Sequence, residues 1–426
     1  MPSSTTGKTI ILMLEDAMET FENQDLLLPM VDFYQPTSAD MQNAGNFVWR
    51  PVDQQAPIIS GWDLTGQETG IIEETYAAVL GTPQNDLVDL RADDVRDDIF
   101  WRRRAKRSAK RQASNLNQQI ALAIKNQGSL YYKSTASSGY DFISEAQVLM
   151  NERQLIKDNG RCFLLNDRDN QTFGEDLAAR QTLQGRPETT WKTGQIGQNI
   201  AEFDIYTGSF LPNLAGGADP ATTVTGAQSF APTSGSVNAT TGVVTPVDYR
   251  TATIPVAASA SYNVGDKVTI SNSGTTIKAV GLDDKTVTGS AMTFSIISKP
   301  TTTSLEIFPK PIALDDASLT TLEKAYANVN TVILNAATVD RLNTDASNQS
   351  NLFWEKSAVE VLGGDIPAGL FSDWGGMKVV SESMSNGLRM YLMYDGDITK
   401  ATFRWRLFTW FGITIKQPQN CGVALL

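Results

Sequence analysis

The residues that could do chemistry in this chain are few, and each arrangement falls short of a reaction. Of 426 residues none is histidine. That removes the commonest general base, the usual transition-metal ligand and every serine–histidine or cysteine–histidine nucleophile pair. The two cysteines, Cys162 and Cys421, are far apart in apolar company and read as buried free thiols; two cannot make a disulfide framework. Gly7-Lys8-Thr9 ends like a phosphate-binding loop. The glycine such a loop needs five residues earlier falls on Pro2, and no strand precedes it. Asp283-Asp284 and Asp315-Asp316 lack calcium-loop spacing and read as turn caps. Asn238-Ala239-Thr240 and Asn348-Gln349-Ser350 match glycosylation acceptors, but no secretory signal accompanies them. A formal charge of −12 argues against a protein that coats nucleic acid. The one cationic cluster, Arg102–Arg104, Lys106, Arg107, Lys110 and Arg111, reads as ion pairing within a helix and between subunits. No catalytic residue, metal ligand or cofactor site is expected, and the absence of a long apolar run points to a soluble protein made in a cytoplasm.

With chemistry set aside, the elements carry the reading. The dominant stretch is 93–128, without proline and without glycine until Gly128. Ala109, Ala113, Leu116, Ile120 and Ala123 recur at alternating four- and three-residue steps, one face of a helix. Asp93, Asp94, Asp97 and Asp98 crowd its first turns, where the helix dipole favours them, and Asp98–Arg102 is an i,i+4 pair. Gly128 is the expected stop. Such a helix spans roughly 50 Å, more than one compact domain needs. Before it, Ile10–Gln24 has the pattern of an amphipathic helix whose polar side carries Glu15, Asp16, Glu19 and Glu22. Pro29 and Pro36 then break the pattern. Asn46–Val52 and Glu68–Val79 flank a glycine-rich centre, GWDLTGQETG, and suggest a long hairpin.

After the long helix, a helix over Asp141–Lys157, a buried strand Arg161–Asn166, a short helix Asp176–Leu183 and a strand Ile200–Tyr206 are expected, a mixed α+β texture. From Leu211 to Pro311 the chain turns rich in Thr, Ser, Val, Ala and Gly. Candidate strands there are Val243–Val247, Thr251–Val256, Lys267–Ser271, Met292–Ile297 and Leu305–Phe308, with a turn at Asn272-Ser273-Gly274. Short strands at that spacing argue an inserted β sandwich or barrel. The α+β texture resumes with strands Thr331–Leu334, Lys378–Met384 and Leu388–Tyr394, the last two joined at Ser385-Asn386-Gly387. A final long strand Arg404–Ile415 is apolar on both faces at Phe408 and Trp410.

Several words of the sequence carry a resemblance over nearly the whole length. They are WRPVDQ (Trp49–Gln54), GWDLT (Gly61–Thr65), NDLVDLRADDVRD (Asn85–Asp97), Arg102–Arg104, GAQSF (Gly226–Phe230), VGDKV (Val264–Val268), PKPIALDD (Pro309–Asp316), AYANVNT (Ala325–Thr331) and NLFW (Asn351–Trp354). In these the chain resembles the major capsid (coat) proteins of short-tailed lambdoid bacteriophages of the Salmonella-phage type. The resemblance implies an α+β fold of the Hong Kong 97-like (Johnson) type with a long spine helix, an extended loop and an inserted antiparallel β-barrel. The implied division is an N-terminal arm 1–42, extended loop 43–82, peripheral domain 83–140 with spine helix 93–128, axial domain 141–218, inserted barrel 219–330, and axial and peripheral remainder 331–426.

It further implies hexamers and pentamers in an icosahedral shell, located in the virion and assembled in the host bacterial cytoplasm. The partners implied are a scaffolding protein, a portal protein and DNA enclosed without sequence-specific binding, with no membrane. Glu15, Asp16 and Glu19 fall where the family's acidic arm meets the scaffolding protein. Trp62, Asp63, Arg102, Arg103 and Arg104 fall at subunit boundaries. The barrel loop that joins capsomers by ionic contacts corresponds to Asn238, Thr241 and Gly242 in NATTGVVT, which is uncharged; Asp248 and Arg250 follow it and could serve. No lysine lies between Lys8 and Lys106, so the Lys–Asn isopeptide weld of some capsids of this fold has no lysine in the extended loop. A competing reading is a virion decoration or tail protein that holds a surface glycan on its β-rich domain; an enzyme with a β accessory module is a third.

Overall fold

The computed structural model describes residues 5–36, 47–53, 55–65, 70–91, 98–134, 139–155, 159–180, 197–234, 247–344, 348–366, 378–397, 399 and 402–426. The chain forms two compact units. One takes Met1–Val48, Ala78–Ile120 and Glu360–Thr414; the other takes Trp49–Ala77, Ala121–Val359 and Ile415–Leu426.

In the first unit, the spine helix lies on a four-stranded antiparallel sheet ordered Lys378–Ser383, Arg389–Asp397, Thr402–Thr409, Gln84–Arg91. Helix α1 is Thr5–Gln24 and the spine helix, α2, is Asp98–Gln127; residues 92–97 of the expected helix lie outside the described residues. Ala105, Ala109, Ala113, Leu116 and Ile120 are fully buried on α2, and the small side chains let its backbone come close to the sheet. Gln112 fixes that approach, donating from Nε2 to the Leu407 carbonyl at 3.0 Å. Beyond Ile120 the buried face shifts to Ala121 and Ile124, leaving Ala123 half-buried. A straight helix turns through 3.6 residues, so a strict 3.5-residue stripe drifts off the contact line. In α1, Ile10, Met13, Leu14, Ala17 and Phe21 are buried, as the amphipathic pattern requires.

The expected strand Arg404–Ile415 is two strands. Thr402–Thr409 belongs to the four-stranded sheet, whereas Phe411–Ile415 pairs in another sheet with Val359–Gly363, which runs parallel to Asp32–Tyr34. The break is at Trp410, whose indole donates to the Gly81 carbonyl at 2.7 Å. Next to it, Gly412 has no room for a side chain, since a Cβ would stand 2.1 Å from the Val79 oxygen.

The second unit holds a six-stranded mixed sheet ordered Leu130–Lys133, Cys421–Leu425, Asn351–Glu355, Arg161–Leu165, Phe203–Thr207, Gly197–Ile200. Its aromatic centre stacks Phe163 on Phe353 at 5.9 Å, with Phe203 edge-on to both. Helix α3, Tyr140–Glu152, ends earlier than the expected Lys157. Helix α4, Asp167–Arg180, begins nine residues before the expected Asp176 because Asn166 caps it, accepting from the Arg168 and Asp169 amides at 2.9 and 3.0 Å. Cys162 and Cys421 both pair in register with Trp354 from opposite sides, so two strand spacings separate them. That is too far for a bridge. Burial pushes the Cys162 thiol up to about 12 and raises Cys421 as well, as inert core thiols should behave.

The same unit contains a closed antiparallel barrel. Its strands run around the ring as Thr222–Thr223, Thr338–Arg341, Lys267–Asn272, Phe294–Ser298, Ser304–Phe308 and Ala252–Pro255. A bridge between Val224 and Val256 closes it, with Thr225 and Ala257 amides donating to the Pro255 and Thr223 carbonyls at 2.9 Å each. Closure leaves the sheet no free edge. Ile254, Ile270, Phe294, Ile296, Leu305, Ile307 and Val339 are buried in its core. The Asn272-Ser273-Gly274 turn is tight, with positive φ of 48° at Ser273 and 83° at Gly274, the pattern of a type I′ hairpin. The expected strand Thr331–Leu334 is absent; Ile333 makes a single bridge to Gln228, and pairing waits until Thr338. The barrel sheet therefore runs past residue 330 to Arg341. Of the expected Val243–Val247, only Val247 lies within the described residues.

Candidate functional site

The surfaces that could meet other molecules are a hairpin loop, the polar face of α1 with α2, and the attachments of the barrel. Phe47–Pro51 and Thr75–Val79 pair as a hairpin, its second strand beginning at Thr75 rather than at the expected Glu68, and the Val52 amide donates to the Glu74 carbonyl at 2.8 Å at its neck. The neck is tied down. Tyr326 Oη donates to the Ile72 carbonyl (2.6 Å) and accepts from the Gln55 amide (3.3 Å), while Asp53 Oδ2 accepts from Gln417 Nε2 (2.6 Å). Glu74 pairs with Lys310 at 3.3 Å; burial raises the glutamate and lowers the lysine, opposed by their mutual attraction.

Beyond the neck the loop bares apolar side chains. Trp62 is fully exposed, Ile58 is 89% exposed, Ile71 is 78% exposed, and Leu64 is exposed with them. Gly61, at φ +147°, sets the bend before Trp62, and Asp63 then closes an Asx turn by accepting from the Thr65 amide (3.0 Å) and hydroxyl (2.7 Å). Those bonds hold the Asp63 carboxyl below the usual carboxylate range. The described part of the loop is thus held in shape at Gly61–Thr65 and exposes apolar side chains.

The acidic residues of α1 divide. Asp16 Oδ2 accepts from Arg102 Nε at 2.7 Å and from its Nη2, and Lys106 stands 3.5 Å from Oδ1. Asp16 is therefore engaged within the chain. Glu15 and Glu19 are exposed and have no ion-pair partner among the described residues. Glu22 accepts from the Ser385 amide at 2.7 Å, a role its place in an acidic stripe does not reveal. Of the arginine triple, Arg102 goes to Asp16 and Arg104 to Asp86 at 2.8 Å, while Arg103 is exposed without a partner among the described residues. The side chain of Asp98, the expected partner of Arg102, lies outside the described residues.

The barrel residues meet a different fate. Asn238, Thr241 and Gly242 lie outside the described residues. Arg250, expected near an external loop, is buried. Its Nε and Nη2 donate to Asp248 at 2.9 and 2.8 Å, its Nη1 to the Ile415 and Lys416 carbonyls at 2.8 and 2.6 Å, and its guanidinium lies 4.0 Å over the Tyr76 ring. Burial alone would raise Asp248, yet the Arg250 charge and hydrogen bonds together hold it below the usual range. Arg250 works in the interior, because its donors are spent there. Lys267 of VGDKV is likewise inside, donating to the Lys125 and Gly128 carbonyls at the end of α2 (2.7 and 2.5 Å) and to Ser295 Oγ (2.5 Å). Beside it Arg341 pairs with Asp266 at 2.7 Å, both buried.

Three of the paired aspartates accept from backbone amides, Asp284 from Thr286, Asp316 from Ser318 and Asp315 from Val332, which is distant in sequence. Among the described residues no group of His, Cys, Asp or Glu could hold a metal ion, and no helix is long and apolar enough to cross a membrane.

The chain is similar to a structure of Mycobacterium phage Che8 at 10% identity, covering 94% of this chain and 90% of that one, with a TM-score of 0.44. It is similar to the capsid of Ralstonia phage GP4 at 9% identity, covering 93% and 86%, also at 0.44. The CUS-3 coat protein I-domain matches at 28% identity over 30% of this chain and 100% of that one, with a TM-score of 0.22. The decisive match is to the family model described as P22 coat protein, gene protein 5, which takes in residues 2–426. On that full-length match the chain belongs to the P22 coat protein family and is a major capsid protein of a phage virion shell.

Proposed function

We propose that this coat protein assembles as hexamers and pentamers around an internal scaffolding protein, closes on a portal protein, and forms a shell that expands as DNA is packaged. Its work is structural and non-enzymatic. The observation that carries the reading is the hairpin tip, where Ile58, Trp62, Leu64 and Ile71 stand in water above an anchored neck. Exposed apolar side chains on an anchored loop are costly in a monomer and favourable under a neighbouring copy.

The test is expression with and without the cognate scaffolding protein, followed by sedimentation and electron microscopy. Uniform closed shells are expected with scaffold, and monomers or aberrant shells without it. Compact monomers or trimers under both conditions would overturn the reading. Trp62→Ala should leave the melting temperature unchanged and abolish or strongly reduce shell formation, since Trp62 is fully exposed among the described residues.

Scaffold docking is assigned to Glu15 and Glu19, the acids of the α1 face that remain exposed and unspent. Glu15→Lys with Glu19→Lys should weaken scaffold binding at low salt and leave the monomer folded. Asp16→Lys would instead set three cations against one another at Arg102 and Lys106, so that its phenotype would mix folding with docking. Normal scaffold-dependent shells from the Glu15/Glu19 variant would sink the assignment.

A further inference from the structure

Among the described residues four arginines are buried: Arg153, Arg161, Arg250 and Arg341. Three have a carboxylate: Arg161 pairs with Glu202 at 3.1 Å, Arg250 with Asp248 at 2.8 Å and Arg341 with Asp266 at 2.7 Å. Arg153, which follows α3, has none among the described residues. It is 3% exposed. Its Nη2 donates to the Ala291 carbonyl (2.7 Å) and the Thr293 hydroxyl (3.3 Å), its Nη1 faces the Met292 thioether at 3.9 Å, and its Nε has no partner among the described residues. Glu152, next in the chain, is exposed and attracts it only through space. Burial draws the guanidinium down to about 10. A buried cation normally carries a counter-ion, because removing it from water costs several kcal/mol.

Arg153 lines a cavity of about 100 Å³. That exceeds the ~15 Å³ a single water needs. Lys285 and Lys416 line it too. Lys285 Nζ makes one long bond, to the Ala327 carbonyl at 3.4 Å, and burial lowers its pKa against the pull of Asp283 and Asp284. The other charges on the wall are already matched: Lys310 by Glu74, Arg250 by Asp248, and Asp53 by its hydrogen bond from Gln417. Arg153, Lys285 and Lys416 are left facing the space with Asp53 as the one carboxylate not paired to a cation. The geometry points to an anion site: this cavity takes a phosphate-class tetrahedral oxyanion, with Arg153 as its buried donor and Lys285 and Lys416 completing the charge. The ion would tie the segment after α3 to the turn at Lys285, between the paired strands Lys278–Val280 and Val287–Ala291, and to the segment at Lys416.

The experiment uses the full-length unassembled chain. Melting is followed in sodium phosphate and in sodium chloride at equal ionic strength and pH, and calorimetric titration with inorganic phosphate counts sites. A saturable, phosphate-specific rise with one site per chain is expected. Arg153→Gln should weaken phosphate about tenfold or more, the scale of a lost charge-assisted bond. Arg153→Lys should keep part of the effect, and Arg103→Gln, on the exposed face of α2, all of it. If Arg153→Gln fails to fold, Lys285→Gln with Lys416→Gln should remove the phosphate effect in a folded chain. Equal melting in both salts, or full phosphate binding in those variants, would overturn the site. A short oligodeoxynucleotide separates the sources: displacement of bound phosphate assigns the site to a nucleic-acid phosphodiester, and its failure to displace assigns a free oxyanion.

Discussion

Gly128 follows α2, and the reason it is glycine is space rather than handedness. Its φ is not among the positive ones, so the left-handed stop suggested by the sequence is not what it provides. A Cβ there would meet the Ile124 oxygen at 2.7 Å and the Cys421 carbonyl group at 2.9 Å, all backbone. Gly128→Ala should therefore cost about 1–3 kcal/mol, as overpacking does, and chemical denaturation of the unassembled chain would measure it. Asp25 shows a second single-residue effect. Burial raises its carboxyl to about 6 from 3.8, opposed by hydrogen bonds from the Leu28 and Leu27 amides and Asn386. Between those values the folded chain holds a proton that the unfolded chain has released, so stability falls as pH rises through the window and is flat above it. Asp25→Asn should lose that slope and be more stable at neutral pH, by up to about 3 kcal/mol. Denaturation midpoints of both proteins from pH 4 to 8 would check this, and parallel curves would refute it.

At the scale of elements, the barrel is joined to the end of the spine helix by Lys267. Its ammonium occupies the place where the last carbonyls of α2 lack partners. Burial, with Lys125 nearby, draws it down to about 7 from 10.5. The unfolded chain then binds the extra proton between those values, so this group makes stability rise from pH 7 towards 10.5 and contributes no slope below. Lys267→Met should remove the rise, which amounts to about 2–4 kcal/mol, and leave helix carbonyls unsatisfied at every pH. Urea midpoints at pH 6 and 9 distinguish the two effects. Little of this was legible in VGDKV, where the sequence marks Lys267 only as the start of a strand. What was legible is local: the apolar spacing of α2, the Asn272-Ser273-Gly274 turn, the hairpin ends at Val52 and Val79. Long-range choices were not. A strand that changes sheets at Trp410, the strand Thr338–Arg341 that completes the barrel, and the Asn166 cap that lengthens α4 each depend on partners distant in sequence or on one side chain's direction. The candidate surfaces divided the same way. Trp62 was visible in GWDLT as an exposed loop residue, whereas Arg250 and Arg153 needed the fold to reveal that they are interior.

For the whole molecule, the question is how copies carrying a net charge of −12 pack side by side. The cations are not spread evenly: Arg103, Arg107, Lys110 and Arg111 are exposed on α2 and have no partner among the described residues. A positive strip on an acidic protein gives neighbouring copies somewhere to place their carboxylates, and such exposed pairing governs rate and register more than affinity. Arg103→Glu with Arg107→Glu takes the net charge from −12 to −16, each exchange subtracting two. Folding of the unassembled chain should change by less than about 0.5 kcal/mol, as for surface sites without contacts. Shell assembly, followed by light scattering, should slow several-fold at about 0.1 M salt. The gap should close towards about 1 M, where the Debye length falls from ~10 Å to ~3 Å. Trp62→Ala should behave in the opposite sense, because apolar burial is not screened, and its defect should persist at every salt concentration. If the charge variant assembles at the wild-type rate in low salt, the strip is simply solvated and the hairpin tip alone drives association.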